Sequence, residues 1–99
     1  MTAQEAVNEI VKYISSWGGV YSKWYIGIAT DPEDRLTNGH RVEKAGHWIY
    51  CPCDSSSNAR AAERHLIDKL GTQGGQGGGD DSTKSVYAYK ITPYTVESA

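Results

Sequence analysis

Hydrophobic positions along the chain follow two periods, and the switches between them mark the elements. Ala3, Val7, Ile10, Val11 and Ile14 recur at helical spacing opposite Gln4, Asn8, Glu9 and Lys12, which predicts an amphipathic helix over 3–16. Thr2-Ala3-Gln4-Glu5 is a capping box at its start, in which the Thr2 hydroxyl and the Glu5 carboxylate each satisfy a free backbone N–H. Gly18-Gly19 ends it. The period then becomes two. Trp24, Ile26 and Ile28 alternate with Tyr25, Gly27 and Ala29, and one continuous strand is expected over 20–29. Asp31-Pro32-Glu33-Asp34 supplies an N-cap, a proline at the first helical position and first-turn acids. A short helix over 32–38, stopped at Asn38-Gly39, therefore displays Arg35 directly after a strand.

Residues 41–46 form a polar connector, and His47 to Cys51 is a short strand closed by Pro52. Several N-cap candidates in Asp54–Asn58 precede a helix over 58–70, with Gly71 as its expected stop. Its apolar stripe is Ala59, Ala62, Leu66, Ile67 and Leu70, and Glu63 lies inside that stripe. A carboxylate facing a core needs a partner or a cation. The simple structural alternative is a pair with Arg60 one turn back. Ser85 to Thr92 alternates again, with Val86, Ala88 and Lys90 on one face and Tyr87, Tyr89 and Ile91 on the other. Pro93 stops it, and 94–99 reads as a tail. The fold class is α+β. A mainly antiparallel three-stranded sheet (20–29, 47–51, 85–92) is flanked by helices 3–16, 32–38 and 58–70, all in one domain.

Composition changes this picture in five places. The chain of 99 residues has no Phe but seven Tyr and three Trp, so its aromatic core brings hydroxyl and indole groups that need partners. The net charge of −2 argues against general binding to nucleic acid, yet Arg35 to Lys69 holds six basic residues against four acidic ones. No apolar run approaches a membrane span and Met1–Glu5 is not a signal-peptide start, so a soluble cytoplasmic protein is expected, without a membrane partner. Cys51-Pro52-Cys53 is too tightly spaced for a zinc pair and has no second pair, which leaves two reduced thiols. Gly71 to Gly79 holds six glycines in nine residues and no Gly-Lys-Ser/Thr ending, so it reads as a flexible linker or a mobile flap, not a phosphate-binding loop.

Tyr25-Ile26-Gly27, Thr30, Arg35-Leu36 and His40 resemble the second half of the GIY-YIG nuclease core, where a YIG strand leads into a helix carrying an arginine. Gly19-Val20-Tyr21 is similar to the GIY half, and Glu63 matches the metal-binding glutamate of a later helix. The resemblance covers Gly19 to Leu70. It implies a metal-dependent endonuclease or phosphodiesterase acting on DNA or RNA. Glu63 would hold Mg²⁺ or Mn²⁺, Arg35 would neutralise phosphoryl oxygens, Tyr21 or Tyr25 would orient or deprotonate water, and His40 would be a second proton-transfer group. The family places a longer hairpin where only Ser22-Lys23-Trp24 stands here. The first strand can then come from Val86–Tyr89, with Tyr87 or Tyr89 in the first tyrosine's role. The family's asparagine after the glutamate helix has no counterpart, and Gln73 or Gln76 is the nearest substitute. The alternative function is a catalytically inactive domain that grips nucleic acid or a protein partner.

Overall fold

Alternation along the strands gives the sheet one mainly aliphatic face, which the two long helices cover, and one tyrosine-rich face, which the short helical turn with Leu36 closes. The computed structural model describes residues 1–75 and 79–98. Its elements are α1 (Ala3–Ser16), β1 (Trp24–Ala29), α2 (Pro32–Asp34), β2 (Trp48–Pro52), α3 (Ser56–Asp68), β3 (Gln73–Gly74) and β4 (Ser85–Lys90). The α+β class holds, but the sheet has four strands and is mixed, in the order β2-β4-β1-β3. β4 pairs antiparallel with both β1 and β2, whereas β3 runs parallel to β1.

Three expectations need correcting. The strand expected over 20–29 begins only at Trp24, because Tyr21–Lys23 form a 3₁₀ turn. Gly18 and Gly19 both adopt positive φ, which turns the chain sharply out of α1 and leaves no extended run before Trp24. Second, the stretch read as a linker contributes β3, where Gln73 and Gly74 pair with Tyr25 and Ile26. Gly74 permits this close approach, since a Cβ there would lie 2.5 Å from the Ile26 carbonyl oxygen and 2.6 Å from Ile67 Cδ1. The rest of the linker reading, residues 76–78 with Gln76, lies outside the described residues. Third, the helix expected over 32–38 is one α-turn followed by a π-turn over Arg35–Gly39, in which His40 N donates to the Arg35 carbonyl at 2.8 Å.

The caps form as read. The Thr2–Glu5 box is complete at α1, the Asp31 carboxylate accepts from Asp34 N at 3.1 Å, and the Ser55 hydroxyl accepts from Asn58 N at 3.1 Å. The Ser55 cap starts α3 two residues earlier than its apolar stripe suggested. Ala6, Val7, Ile10 and Ile14 of α1 and Ala59, Ala62 and Leu66 of α3 pack on Trp24, Ile26, Ile28, Val86, Ala88 and Cys51. Each large aliphatic side chain buried there stabilises the fold by roughly 1.5–3 kcal/mol. The second face carries Tyr87, Tyr89 and Ala29, closed by Leu36 and Val42 and flanked by Tyr25, Trp48 and Tyr50. No helix among the described residues is long and apolar enough to cross a membrane. Cys51 and Cys53 are both free and buried, and burial pushes the Cys51 thiol up to about 11.

Candidate active site

The antiparallel register sets Gly27 of β1 opposite Tyr87 of β4. Gly27 has no side chain, and the Tyr87 ring and hydroxyl occupy the space its Cβ would fill. Beside this pair opens a cleft of about 640 Å³ at the end of the sheet where β1 leaves and β4 enters. Tyr25 reaches it from β1, Arg35 from the turn after α2, and Glu63 from α3. The fold thus brings together Tyr25, Arg35 and Glu63, which are 38 residues apart in the chain from first to last, and adds Tyr87. Tyr21 is not in the lining. Its 3₁₀ turn leaves it half-buried against the aliphatic cluster. Gln73 sits on β3, with its amide donating to the Ser22 carbonyl at 3.1 Å.

His40 lies beneath the cleft and is completely buried. Its Nε2 is 2.6 Å from the Tyr87 hydroxyl, and its Nδ1 is 2.7 Å from the Val96 carbonyl oxygen. A carbonyl only accepts, so Nδ1 carries the proton and Nε2 accepts from the Tyr87 O–H. The Tyr89 hydroxyl donates to Glu97 Oε2 at 2.9 Å and stands 3.2 Å from His40 Nδ1. Burial lowers the His40 pKa, so the imidazole is neutral at rest. Burial likewise raises the Tyr87 and Tyr89 hydroxyls well above their usual range, although the positive charge of Arg35 opposes the shift at Tyr87. The lowered tyrosine pKa that a free phenolate base would need is therefore not found at Tyr87.

Glu63 is 6% exposed, and its Oε2 has no hydrogen-bond partner. Desolvation pushes its pKa up to about 7, against the opposing charges of Arg60 and Arg64. An orphaned buried carboxylate oxygen beside a cleft suits a divalent cation. Among the described residues no group of three or more His, Cys, Asp or Glu is placed to hold one. A divalent cation held there would rest on this one carboxylate, with its remaining ligands from outside the described residues.

Sequence reasoning did not find Glu97 and Ser98, which also line the cleft. They arrive because Val96 pairs with His40 through its backbone, its N–H donating to the His40 carbonyl at 2.8 Å. Asp31 and Asp34 line the same cleft. At its mouth the Thr30 hydroxyl meets those of Ser82 and Thr83 at 3.4 and 3.3 Å. Compared with known proteins, the chain matches no family model, no curated protein and no solved structure.

Proposed function

We propose that the chain is a metal-dependent phosphodiesterase acting on DNA or RNA, of GIY-YIG-like design, with β4 supplying the first tyrosine as Tyr87. The observation that carries this reading is the convergence of Tyr25, Tyr87, Arg35 and an unpaired, buried Glu63 oxygen on one cleft. Arg35 is an exposed guanidinium at that cleft, where it can neutralise the phosphoryl oxygens as charge builds on them. Glu63 would hold the cation, which when bound supplies Lewis-acid stabilisation to the phosphate and the leaving oxygen.

The Tyr87–His40 pair handles the proton. As a water oxygen bonds to phosphorus and the ester P–O bond breaks, the water proton passes to Tyr87 oxygen. The Tyr87 proton passes in the same step to His40 Nε2. The resulting imidazolium keeps its Nδ1–H on the Val96 carbonyl, and the leaving oxygen takes a proton from solvent. No phenolate accumulates, which is consistent with the raised Tyr87 pKa. Tyr25, whose ring stacks on Tyr89 at 5.3 Å, would orient the water or the phosphate.

A second reading, a domain that binds without cleaving, draws support from Asp31, Asp34 and Glu97, whose carboxylates share the cleft with Arg35. One assay separates the two. Supercoiled plasmid and single-stranded DNA and RNA are incubated with the protein and Mg²⁺ or Mn²⁺, beside Arg35→Ala and Tyr87→Phe. The nuclease reading expects metal-dependent cleavage that both variants lose. No cleavage of any substrate with either metal would retire it.

A further inference from the structure

The opposite end of the sheet, away from the cleft, concentrates exposed aromatic and basic side chains. Trp17 at the end of α1 stays 44% exposed, although its ring stacks on His47 with centroids 4.1 Å apart and planes 23° apart. His47 is fixed there because its carbonyl accepts from Lys90 N at 2.9 Å, and Lys90 Nζ returns to the Trp17 carbonyl at 3.4 Å. Beside them runs a groove of about 300 Å³ lined by Arg41, His47, Lys90 and Tyr94. Tyr94 is 76% exposed at the tip of a turn closed by Thr95 N on the Thr92 carbonyl. Arg41 is held at φ 57°, the single positive-φ non-glycine residue among those described. Glu43 is the acidic residue of the lining.

We infer that this end of the sheet is a binding surface for single-stranded nucleic acid. Trp17 and Tyr94 offer flat faces for unpaired bases, and Arg41 and Lys90 take the phosphates between them. The chemistry decides the occupant. Bases stack on exposed indole and phenol rings whatever their sequence. The cations beside them outnumber the single carboxylate, which complements a phosphodiester backbone despite the chain's overall charge of −2. A duplex keeps its bases stacked internally and cannot use the rings. The surface is built from its own residues and needs no cleavage by the cleft.

Fluorescence anisotropy tests it, with short labelled oligo(dT) and oligo(U) as probes, EDTA present, and salt varied. At low salt we expect binding of one or both, the two arms separating DNA from RNA. Log Kd should rise with log salt with a slope of about 1–2, at about 0.7 for each phosphate neutralised. Trp17→Ala should weaken binding about 5- to 150-fold, the range for losing one stacked base. Arg41→Asn keeps a residue that tolerates the left-handed backbone and should reduce the salt slope. Trp17 also packs on Tyr13, so Tyr94→Ala, at a fully surface site, serves if Trp17→Ala does not fold. Failure of both oligonucleotides to bind overturns the inference. So does a duplex binding as tightly as the single strand, or affinity unchanged in the aromatic variants. Because no cleavage is read, the result stands apart from the fate of the nuclease reading.

Discussion

The Tyr87 hydroxyl stands 2.6 Å from Nε2 of His40, and this contact fixes where the protons of the buried pair reside. With Nδ1 committed to the Val96 carbonyl, the imidazole has one tautomer available and one lone pair, aimed at Tyr87. Long-range ¹H–¹⁵N spectra should show a neutral ring protonated at Nδ1 that resists protonation below the ordinary histidine range. A depressed folded pKa means the unfolded chain binds the proton first. Stability is therefore intact above about 6.5 and falls as pH drops toward the folded value. A doubly protonated ring at neutral pH would contradict this arrangement.

Tyr87→Phe isolates that contact. The ring volume is kept while the donor disappears, so Nε2 is left buried and unpaired. The loss should be about 1–3 kcal/mol of stability, with any cleavage reduced about 100-fold or more. Urea denaturation and single-turnover cleavage read the two effects separately. Stability equal to wild type would mean that His40 finds another donor.

Gly27→Ala should destabilise, although alanine is ordinarily the better strand residue by about 0.5–1 kcal/mol. The added methyl would overlap the Tyr87 hydroxyl, which cannot swing aside without breaking its bond to His40. Overpacking of this kind costs about 1–3 kcal/mol. A melting temperature at or above wild type would show that the Tyr87 ring has room to move.

Much of the scaffold could be read from the chain, because alternation and capping are local. The two faces of β1 and β4, the starts of α1 and α2 and the place of Glu63 within its stripe follow from spacing and caps, whereas α3 starts two residues before the expected position. What could not be read depends on non-local geometry. Tyr21 left the strand because two positive-φ glycines redirect the backbone before it. β3 has no hydrophobic pattern to announce it, and it forms through a missing Cβ at Gly74. Tyr87 and Tyr89 share a face, so only register distinguishes them. Gly27 leaves room for the Tyr87 ring to lie beside the cleft, whereas Tyr89 faces Tyr25 and is sealed against Glu97. Glu97 itself reaches the cleft through a backbone pairing of Val96 with His40, which leaves no mark in side-chain periodicity.

Glu63→Gln tests the cation anchor through stability alone. Below about pH 4.5 the wild-type carboxyl is protonated in both folded and unfolded chains, and the variant should match it. Between there and about pH 7 the unfolded chain ionises while the folded chain resists, because the charged form has no partner at Oε2. A folded pKa raised in this way supports the fold below the unfolded value and loses that support as pH rises. The variant's advantage should therefore grow through this window and level off at about 3 kcal/mol above it. Saturating Mg²⁺ or Mn²⁺ should remove the gap by stabilising wild type, by about 2.7 kcal/mol at a hundredfold excess over Kd, and should leave the variant unmoved. Thermal melts of both proteins across pH, with and without metal, measure all of this. A gap that does not change with pH would mean the neighbouring arginines already neutralise Glu63. A wild type indifferent to metal would remove the anchor on which the proposed chemistry depends.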